Sequence, residues 1–240
     1  MRKLTVLFLS ILASIAQSAA AQVIVYEQVT EEMVEVPATG SDRLVQSEAP
    51  DLQLPKGIAR YGPFRVLDAG HAALVDTTDA RSPVQFAAML RAFPGIRTLE
   101  LVECPGTDDD RANLKLGVMI HDRGIATDVP EGGSVRSGGV ELFLAGVRRS
   151  AAANTEFAVH SWADENGLEP KDYGPNAPEN RIYIDYYERM GMSEAEARAF
   201  YAMTNSVPNA DAKWLGTADM AQWVRLDQPM DRVDSKLALN

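Results

Sequence analysis

The chain is poor in cysteine and in positive charge. One cysteine, Cys104, stands among 240 residues, which excludes an intrachain disulfide and any zinc or iron-sulfur site built from several cysteines. Lys and Arg total 23 against 34 Asp and Glu, and the formal net charge is -11. Because nucleic-acid binding needs a basic surface, we expect no nucleic-acid partner.

Long apolar runs are also missing, except at the N-terminus. Arg2 and Lys3 make the start basic, residues 4–16 are largely apolar, and residues 18–21 are small. This order is typical of a cleaved signal peptide, and the apolar stretch is short for a membrane anchor. We therefore expect a signal peptide over residues 1–21, cleaved after its last alanine, and a periplasmic or secreted protein without a stable membrane anchor.

The rest of the chain predicts one α/β domain. Residues 22–56 are expected to form a β-rich appendage and polar linker, residues 57–228 the main domain, and residues 229–240 a tail. With 46% apolar residues, the chain has ample material for one core. Strands that alternate with helices predict a layered α/β fold with mostly parallel, buried strands.

The pattern also places the individual elements of this domain. Short apolar runs predict strands over residues 64–67, 72–75, 96–102, 125–129 and 156–160. Helices are expected from Ser82 to Phe93, from about 108 to 123, over 140–145 and 181–190, from Ser193, and from Thr217 to about Trp223. Residues 163–178 predict a long loop, either a lid or a disordered segment.

A serine at the start of an apolar helix is the first candidate for chemistry. Ser137 lies in the glycine-rich run of residues 132–139, directly before the helix of residues 140–145. A hydroxyl there lies beside unpaired backbone N–H groups, where an attacked carbonyl can develop negative charge. A plain capping serine occupies the same position, and both interpretations stay open. The glycine spacing fits no nucleotide-binding motif.

Histidine supplies the second candidate. His160 follows the apolar strand at residues 157–159, and strand ends in open α/β sheets are where functional sites gather. A neutral imidazole can take a proton from a serine and pass it to a leaving group. The alternative is a strand-end histidine that bonds a backbone carbonyl. His71 and His121 show no metal-ligand spacing, and we expect no metal site.

The order of these segments resembles the Clp protease proteolytic-subunit and crotonase superfamily, and within it an exported bacterial branch. The resemblance covers about residues 60 to 227 and rests on four segments: the strand before Cys104-Pro105-Gly106, Ser137 before its helix, the strand before His160, and Trp214-Leu215-Gly216-Thr217. It implies a spiral of repeated strand-helix units with a mostly parallel sheet. It also implies a peptide or protein substrate, no organic cofactor, and a possible homo-oligomer.

The resemblance assigns roles to particular residues. It implies that Ser137 is the nucleophile and His160 the base, and that Asp211 orients the imidazole, with Asp185 as the substitute. The N–H groups of Gly138 and Thr107 would form the oxyanion hole. Thr107 replaces a family glycine, and a β-branched residue does not reach all the backbone angles of glycine.

Three consecutive acids, residues 108–110, begin the next helix. They match the positive end of the helix dipole. If they also face the site, each would oppose a developing oxyanion by about 2 kcal/mol at about 8 Å and an effective dielectric of about 20.

The sequence thus predicts an exported serine hydrolase, specifically a peptidase. The alternative is a catalytically degenerate scaffold that binds a peptide or partner protein in the cell envelope. An acyl-coenzyme A enzyme is disfavoured because export separates the chain from that cofactor. Cys104 remains a rival nucleophile, since a thiolate near a helix N-terminus is chemically reasonable.

Overall fold

The computed structural model of the protein describes residues 54–228. The expected signal peptide, nearly all of the expected appendage and the C-terminal tail lie outside the described residues. Within residues 54–228, no helix combines the length and the apolar character needed to cross a bilayer.

Within residues 54–228, ten strands form two sheets. They are β1 (Ala59–Tyr61), β2 (Phe64–Val66), β3 (His71–Leu74), β4 (Thr98–Leu101), β5 (Glu103–Cys104), β6 (Ala126–Val129), β7 (Ser134–Arg136), β8 (Arg149–Ala151), β9 (Glu156–Val159) and β10 (Lys213–Gly216). The larger sheet has the order β1-β2-β3-β4-β6-β8, and the smaller has the order β10-β9-β7-β5. Strands β3, β4, β6 and β8 are parallel, as are β5, β7 and β9.

In the part of the chain that the structure describes, six α-helices and one short 3₁₀ helix are interleaved with the strands. They are α1 (Ser82–Ala92), α2 (Asp110–Asp122), α3 (Gly138–Leu144), α4 (Pro178–Arg189), α5 (Glu194–Thr204) and α6 (Thr217–Met220), with the 3₁₀ helix over Pro170–Asp172. That 3₁₀ helix lies inside the long loop expected over residues 163–178.

The chain winds as a spiral in which each turn contributes one strand to each sheet. Strands β4 and β5 precede α2, β6 and β7 precede α3, and β8 is followed by β9. The expected architecture of repeated strand-helix units with mostly parallel strands is therefore confirmed.

Helices α1 and α6 begin at the expected residues, Ser82 and Thr217, but neither of these residues is the N-cap. The N-cap of α1 is Arg81, because the Ser82 hydroxyl is bound to Asp79 instead of capping the helix. The N-cap of α6 is Gly216, and the Thr217 hydroxyl donates to the carbonyl of Ala152. Ser193 does cap α5, where its hydroxyl accepts a bond from the N–H of Glu196.

Several loops lie together at one edge of the smaller sheet. Cys104 pairs with Val135 and Arg136 pairs with Ala158, so the parallel strands β5, β7 and β9 all end at this edge. Strand β10 runs antiparallel, with Lys213 opposite Val159, and the loop before it therefore arrives at the same edge. The segments that follow β5, β7 and β9 and the one that precedes β10 are brought together here.

Helix α2 packs closely against α4 at a glycine. A Cβ built on Gly117 would overlap the Tyr186 hydroxyl, and that hydroxyl donates to the backbone carbonyl of Glu141 at 2.6 Å. The absence of a side chain at Gly117 thus lets α4 reach the helix that carries Ser137.

Gly117→Ala is expected to destabilise the fold by about 1–2 kcal/mol, since the overlap outweighs the gain in helix propensity. Chemical denaturation measures this change. Gly174→Ala is the matched control, because a Cβ there meets no atom within 4 Å. Equal stability of the two variants would show that the close packing at Gly117 is unimportant.

Candidate active site

A cavity of about 170 Å³ opens at the edge where the loops meet. Both Ser137 and His160 line it, so the structure brings together the two residues singled out from the sequence. The other lining residues are Thr107, Asp110, Gly138, Glu141, Val159, Trp162, Ala163, Tyr183, Tyr187, Tyr201, Thr204, Asn205 and Asn209.

Ser137 adopts an unusual backbone conformation. Its φ of 49° and ψ of -128° make it the one non-glycine residue with positive φ among residues 54–228. Such a conformation is unfavourable by about 1–3 kcal/mol and persists only where the surroundings impose it. The N–H of Ser137 donates to the Ala158 carbonyl at 2.9 Å, and its carbonyl accepts from Val140 at 2.9 Å.

This conformation presents the Ser137 hydroxyl to the cavity. The serine stands at the N-cap position of α3, yet its side chain makes no capping hydrogen bond. The structure therefore does not support the plain capping role. A sharp turn between strand and helix that exposes a serine hydroxyl is the geometry of a nucleophile elbow.

The loop after β5 packs directly on this turn. Gly106 has φ 137°, and a Cβ built on it would lie 3.0 Å from the Ser137 Cβ. A Cβ on Gly138 would lie 2.6 Å from Thr107 Cγ2. Glycine is therefore required on both sides of the contact, and the approach brings the backbone of Thr107 beside the turn.

The Thr107 side chain packs against Gly138, the residue after the serine. Thr107 forms a parallel bridge with Thr78, in which Thr78 donates to the Gly106 carbonyl at 3.1 Å and accepts from Asp108 at 2.8 Å. This pattern leaves the Thr107 N–H directed away from Thr78. The positive φ in this loop occurs at Gly106, and Thr107 has negative φ. The threonine therefore fits its position without strain.

Side chains that the sequence did not single out fix this backbone. Asn113 donates to the Gly138 carbonyl at 2.7 Å, and its own Oδ1 accepts from the Thr78 hydroxyl at 2.9 Å. The chain of bonds ties α2 and the loop after β3 to the start of α3. No local signal marks Asn113 in the sequence, because its partners lie 25 and 35 residues away.

His160 is held in one tautomer. Its Nδ1 lies 2.8 Å from the carbonyl oxygen of Ser161 and 3.3 Å from Asn209 Nδ2. Asn209 Nδ2 also donates to the Ser161 carbonyl at 2.8 Å. A carbonyl oxygen only accepts, so Nδ1 carries the proton that it donates to Ser161. The Nε2 atom of neutral His160 is then the acceptor.

Burial lowers the pKa of His160 below its ordinary value of 6.5. The bond to the Ser161 carbonyl and the charges of Asp110 and Glu169 act in the opposite direction without reversing the shift. His160 is therefore neutral at pH 7 and has a basic nitrogen available.

The structure does not bring the predicted orienting acids to His160. Asp211 is exposed, and its carboxylate accepts from the N–H of Ala212 at 3.1 Å. The turn in which the Asp211 N–H donates to the Pro208 carbonyl at 3.0 Å directs Asn209 to the site instead. The substitute, Asp185, is paired with Arg181 on α4. Neither acid lines the cavity.

Cys104 is not activated. It is fully buried, and its Sγ lies 3.8 Å from the Leu74 carbonyl. Burial raises the pKa of the thiol well above its ordinary value, so the reactive thiolate is disfavoured. The structure thus gives no support to the rival nucleophile.

The three consecutive acids, residues 108–110, differ in what they do: one caps helix α2, one faces the cavity, and one does neither. Asp109 is the N-cap of α2, where its carboxylate accepts from the N–H of Ala112 at 2.9 Å. Asp110 lines the cavity, whereas Asp108 is exposed outside it. Across residues 54–228, no three His, Cys, Asp or Glu side chains are grouped in a way that would hold a metal ion.

Glu141 is a second acid of the cavity. It is 8% exposed, and its Oε1 accepts from the Tyr187 hydroxyl at 2.7 Å. Burial raises the pKa of this carboxyl to about 7, against the smaller effect of the Tyr187 bond. The sequence did carry a signal for Glu141, since it lies four positions after Ser137, in the first turn of the helix that the serine precedes.

Comparisons with known proteins find distant structural similarity alone. No protein-family model and no curated protein matches the chain. A variant of the 1510-N membrane-bound stomatin-specific protease is 13% identical, with a TM-score of 0.46 over 67% of this chain and 78% of that one. A variant of ClpP1 from Listeria monocytogenes is 18% identical, with a TM-score of 0.45 over 70% and 94%. The ClpP protease catalytic domain from Plasmodium falciparum is 12% identical, with a TM-score of 0.47 over 67% and 84%.

Ser137→Gly is expected to be more stable than Ser137→Ala by about 1 kcal/mol, because glycine adopts positive φ without strain. Denaturant unfolding measures the difference. Ser206 provides the matched pair, since it is exposed and has negative φ. There, Gly should be no more stable than Ala. The same order at both positions would contradict strain at Ser137.

Replacement of Glu141 should reveal the cost of its buried charge. The folded-state pKa lies near 7 and the ordinary value is 4.5. At pH values between these two pKa values, the folded protein holds a proton that the unfolded chain has lost. The parent protein therefore loses stability as pH rises from about 4.5 to 7, by on the order of 3 kcal/mol.

Glu141→Gln keeps an oxygen acceptor for Tyr187 and removes the titration. The difference in unfolding free energy between parent and variant, measured from pH 4.5 to 8, should shift in favour of the variant until about pH 7 and then level. A constant difference across this range would show that the carboxyl is not perturbed.

Proposed function

We propose that the protein is an exported serine hydrolase, and specifically a peptidase. The observation that carries this proposal is the strained turn at Ser137, which presents an uncapped hydroxyl to a cavity shared with His160. Ser137 and His160 follow the ends of neighbouring parallel strands, so one pairing register supports both groups. Stored backbone strain at a cavity-facing nucleophile supports a catalytic role over a structural one.

In the proposed reaction, the Ser137 hydroxyl attacks the carbonyl carbon of a peptide bond. His160 Nε2 accepts the hydroxyl proton as the oxygen-carbon bond forms, and the N–H groups of Gly138 and Thr107 donate to the resulting oxyanion. When the carbon-nitrogen bond breaks, His160 returns the proton to the departing amine. Water then hydrolyses the acyl-enzyme with the same histidine as base.

The orienting group in this scheme is neutral. The Ser161 carbonyl fixes the tautomer of His160, and Asn209 braces that carbonyl through its 2.8 Å bond. A carbonyl stabilises the imidazolium less than a carboxylate does. We therefore expect the enzyme to be slower than hydrolases in which an aspartate holds the histidine.

The neutral orienting group also favours the second candidate function, a degenerate scaffold that binds a peptide or partner protein. Such a protein would retain the cavity but would not activate Ser137. Reactivity of the serine separates the two functions directly.

A fluorophosphonate probe should label the protein on Ser137, with formation of a bond from Oγ to phosphorus and loss of fluoride. Ser137→Ala should abolish labelling. His160→Gln should slow it by about 10²–10⁴-fold, the usual contribution of a general base. The parent rate should rise with pH and level off, with a midpoint below 6.5 because burial lowers the pKa of His160.

Asp211→Asn is the control, and its labelling rate should equal that of the parent because Asp211 lies outside the cavity. Asn209→Ala should be slower by about tenfold, since it removes one brace while Ser161 still fixes the tautomer. Absence of labelling in folded parent protein would reject the hydrolase and leave the scaffold.

A further inference from the structure

Two acidic side chains in the cavity have no part in the proposed reaction. Glu141 lies one helical turn beyond Ser137 on α3 and is 8% exposed, whereas Asp110 is an exposed residue at the start of α2. No Lys or Arg lines the cavity. Among the described residues, no ion pair involves either carboxylate.

A tyrosine holds the Glu141 carboxyl in place. Tyr187 donates to Glu141 Oε1 at 2.7 Å, and Tyr183 lines the same cavity as Asp110. Within the described part of the chain, no other side chain bonds to Glu141, and its second oxygen has no side-chain partner. Burial raises the pKa of Glu141 to about 7, so near neutral pH this carboxyl is divided between its neutral and charged forms. A cation that entered the cavity would favour the charged form by supplying the partner it lacks.

We propose that this cavity receives a basic side chain, lysine or arginine, from the substrate residue whose carbonyl Ser137 attacks. This inference rests on the proposed hydrolase function and adds its substrate class. The cavity volume of about 170 Å³ is below the roughly 300–1,000 Å³ of pockets for whole small-molecule ligands. It therefore suits a single side chain.

The position of Glu141 indicates where the basic side chain of the substrate would lie. Ser137 is the N-cap of α3, Glu141 lies in the first turn of that helix, and both residues line the cavity. A substrate side chain that starts at the attacked carbonyl passes Ser137 and ends beside this carboxylate. Tyrosine rings along the cavity favour the same occupant, since cations are attracted to aromatic faces.

A basic substrate side chain should increase the rate of attack by Ser137 as well as the affinity. Asp110 and the ionised form of Glu141 would oppose the negative charge that develops at the oxyanion hole. A bound ammonium or guanidinium group offsets them. The preference for a basic substrate should therefore appear in the rate of attack as well as in affinity.

A matched pair of peptidyl diphenyl phosphonates tests this directly. One carries an aminobutyl side chain, as in lysine, and the other a butyl side chain, which lacks only the terminal ammonium. Ser137 Oγ forms a bond to phosphorus, a phenoxide leaves, and the serine proton passes through His160 to the phenoxide. On the full-length parent protein, the aminobutyl reagent should label at least about tenfold faster at saturating and subsaturating concentrations.

Three variants locate the preference. Glu141→Gln should reduce the rate ratio to about threefold or less, and Asp110→Asn should reduce it partially. Asp108→Asn, which removes an equal charge outside the cavity, should leave the ratio unchanged. Fluorophosphonate labelling of each variant verifies that Ser137 remains reactive.

Equal or faster labelling by the butyl reagent would overturn the inference, and so would a protein that reacts with the fluorophosphonate but with neither phosphonate. Both results leave the hydrolase function intact. Failure of all three reagents would instead reject the proposed function itself. A ratio that survives Glu141→Gln and Asp110→Asn would assign the preference to other residues and contradict the inference.

Discussion

The site depends on the close approach of two backbone segments, the loop after β5 and the turn between β7 and α3. Gly106 and Gly138 leave no room for a Cβ at this contact, and the packing holds Ser137 at a φ of 49°. The bond from Ser137 N–H to the Ala158 carbonyl ties the same turn to β9. One packing arrangement therefore exposes the serine hydroxyl, places the Thr107 backbone beside it and brings His160 to the same cavity.

Electrostatics at the cavity combine a neutral base with acidic walls. Burial keeps His160 uncharged near neutral pH, and a backbone carbonyl rather than a carboxylate fixes its tautomer. The acidic groups of the cavity are instead Asp110 and Glu141, which line the space a substrate side chain would fill. In the proposed enzyme, the charge that complements the acids comes from the substrate, so recognition and reactivity are coupled.

Much of the fold was readable from sequence, because short apolar runs predict β4 and β6 and helical patterns predict α2 and α5. Strands β5 and β7 were not predicted, since two or three residues are too few to show a period. The sequence indicated Asp211 rather than Asn209 as the side chain near His160, because the order of residues in a turn does not show which of them faces inward. Glu141 was missed although it lies in the first turn of the helix that Ser137 precedes, which makes it an omission that sequence reasoning had the means to avoid.

The measurement that tests this account most directly is a crystal structure of the protein after reaction with diisopropyl fluorophosphate. The account predicts phosphorus bonded to Ser137 Oγ and a phosphoryl oxygen within about 3.2 Å of the Gly138 and Thr107 nitrogens. It also predicts His160 Nε2 directed to the adduct while Nδ1 remains on the Ser161 carbonyl. An adduct on another residue, or a phosphoryl oxygen directed away from both N–H groups, would contradict it.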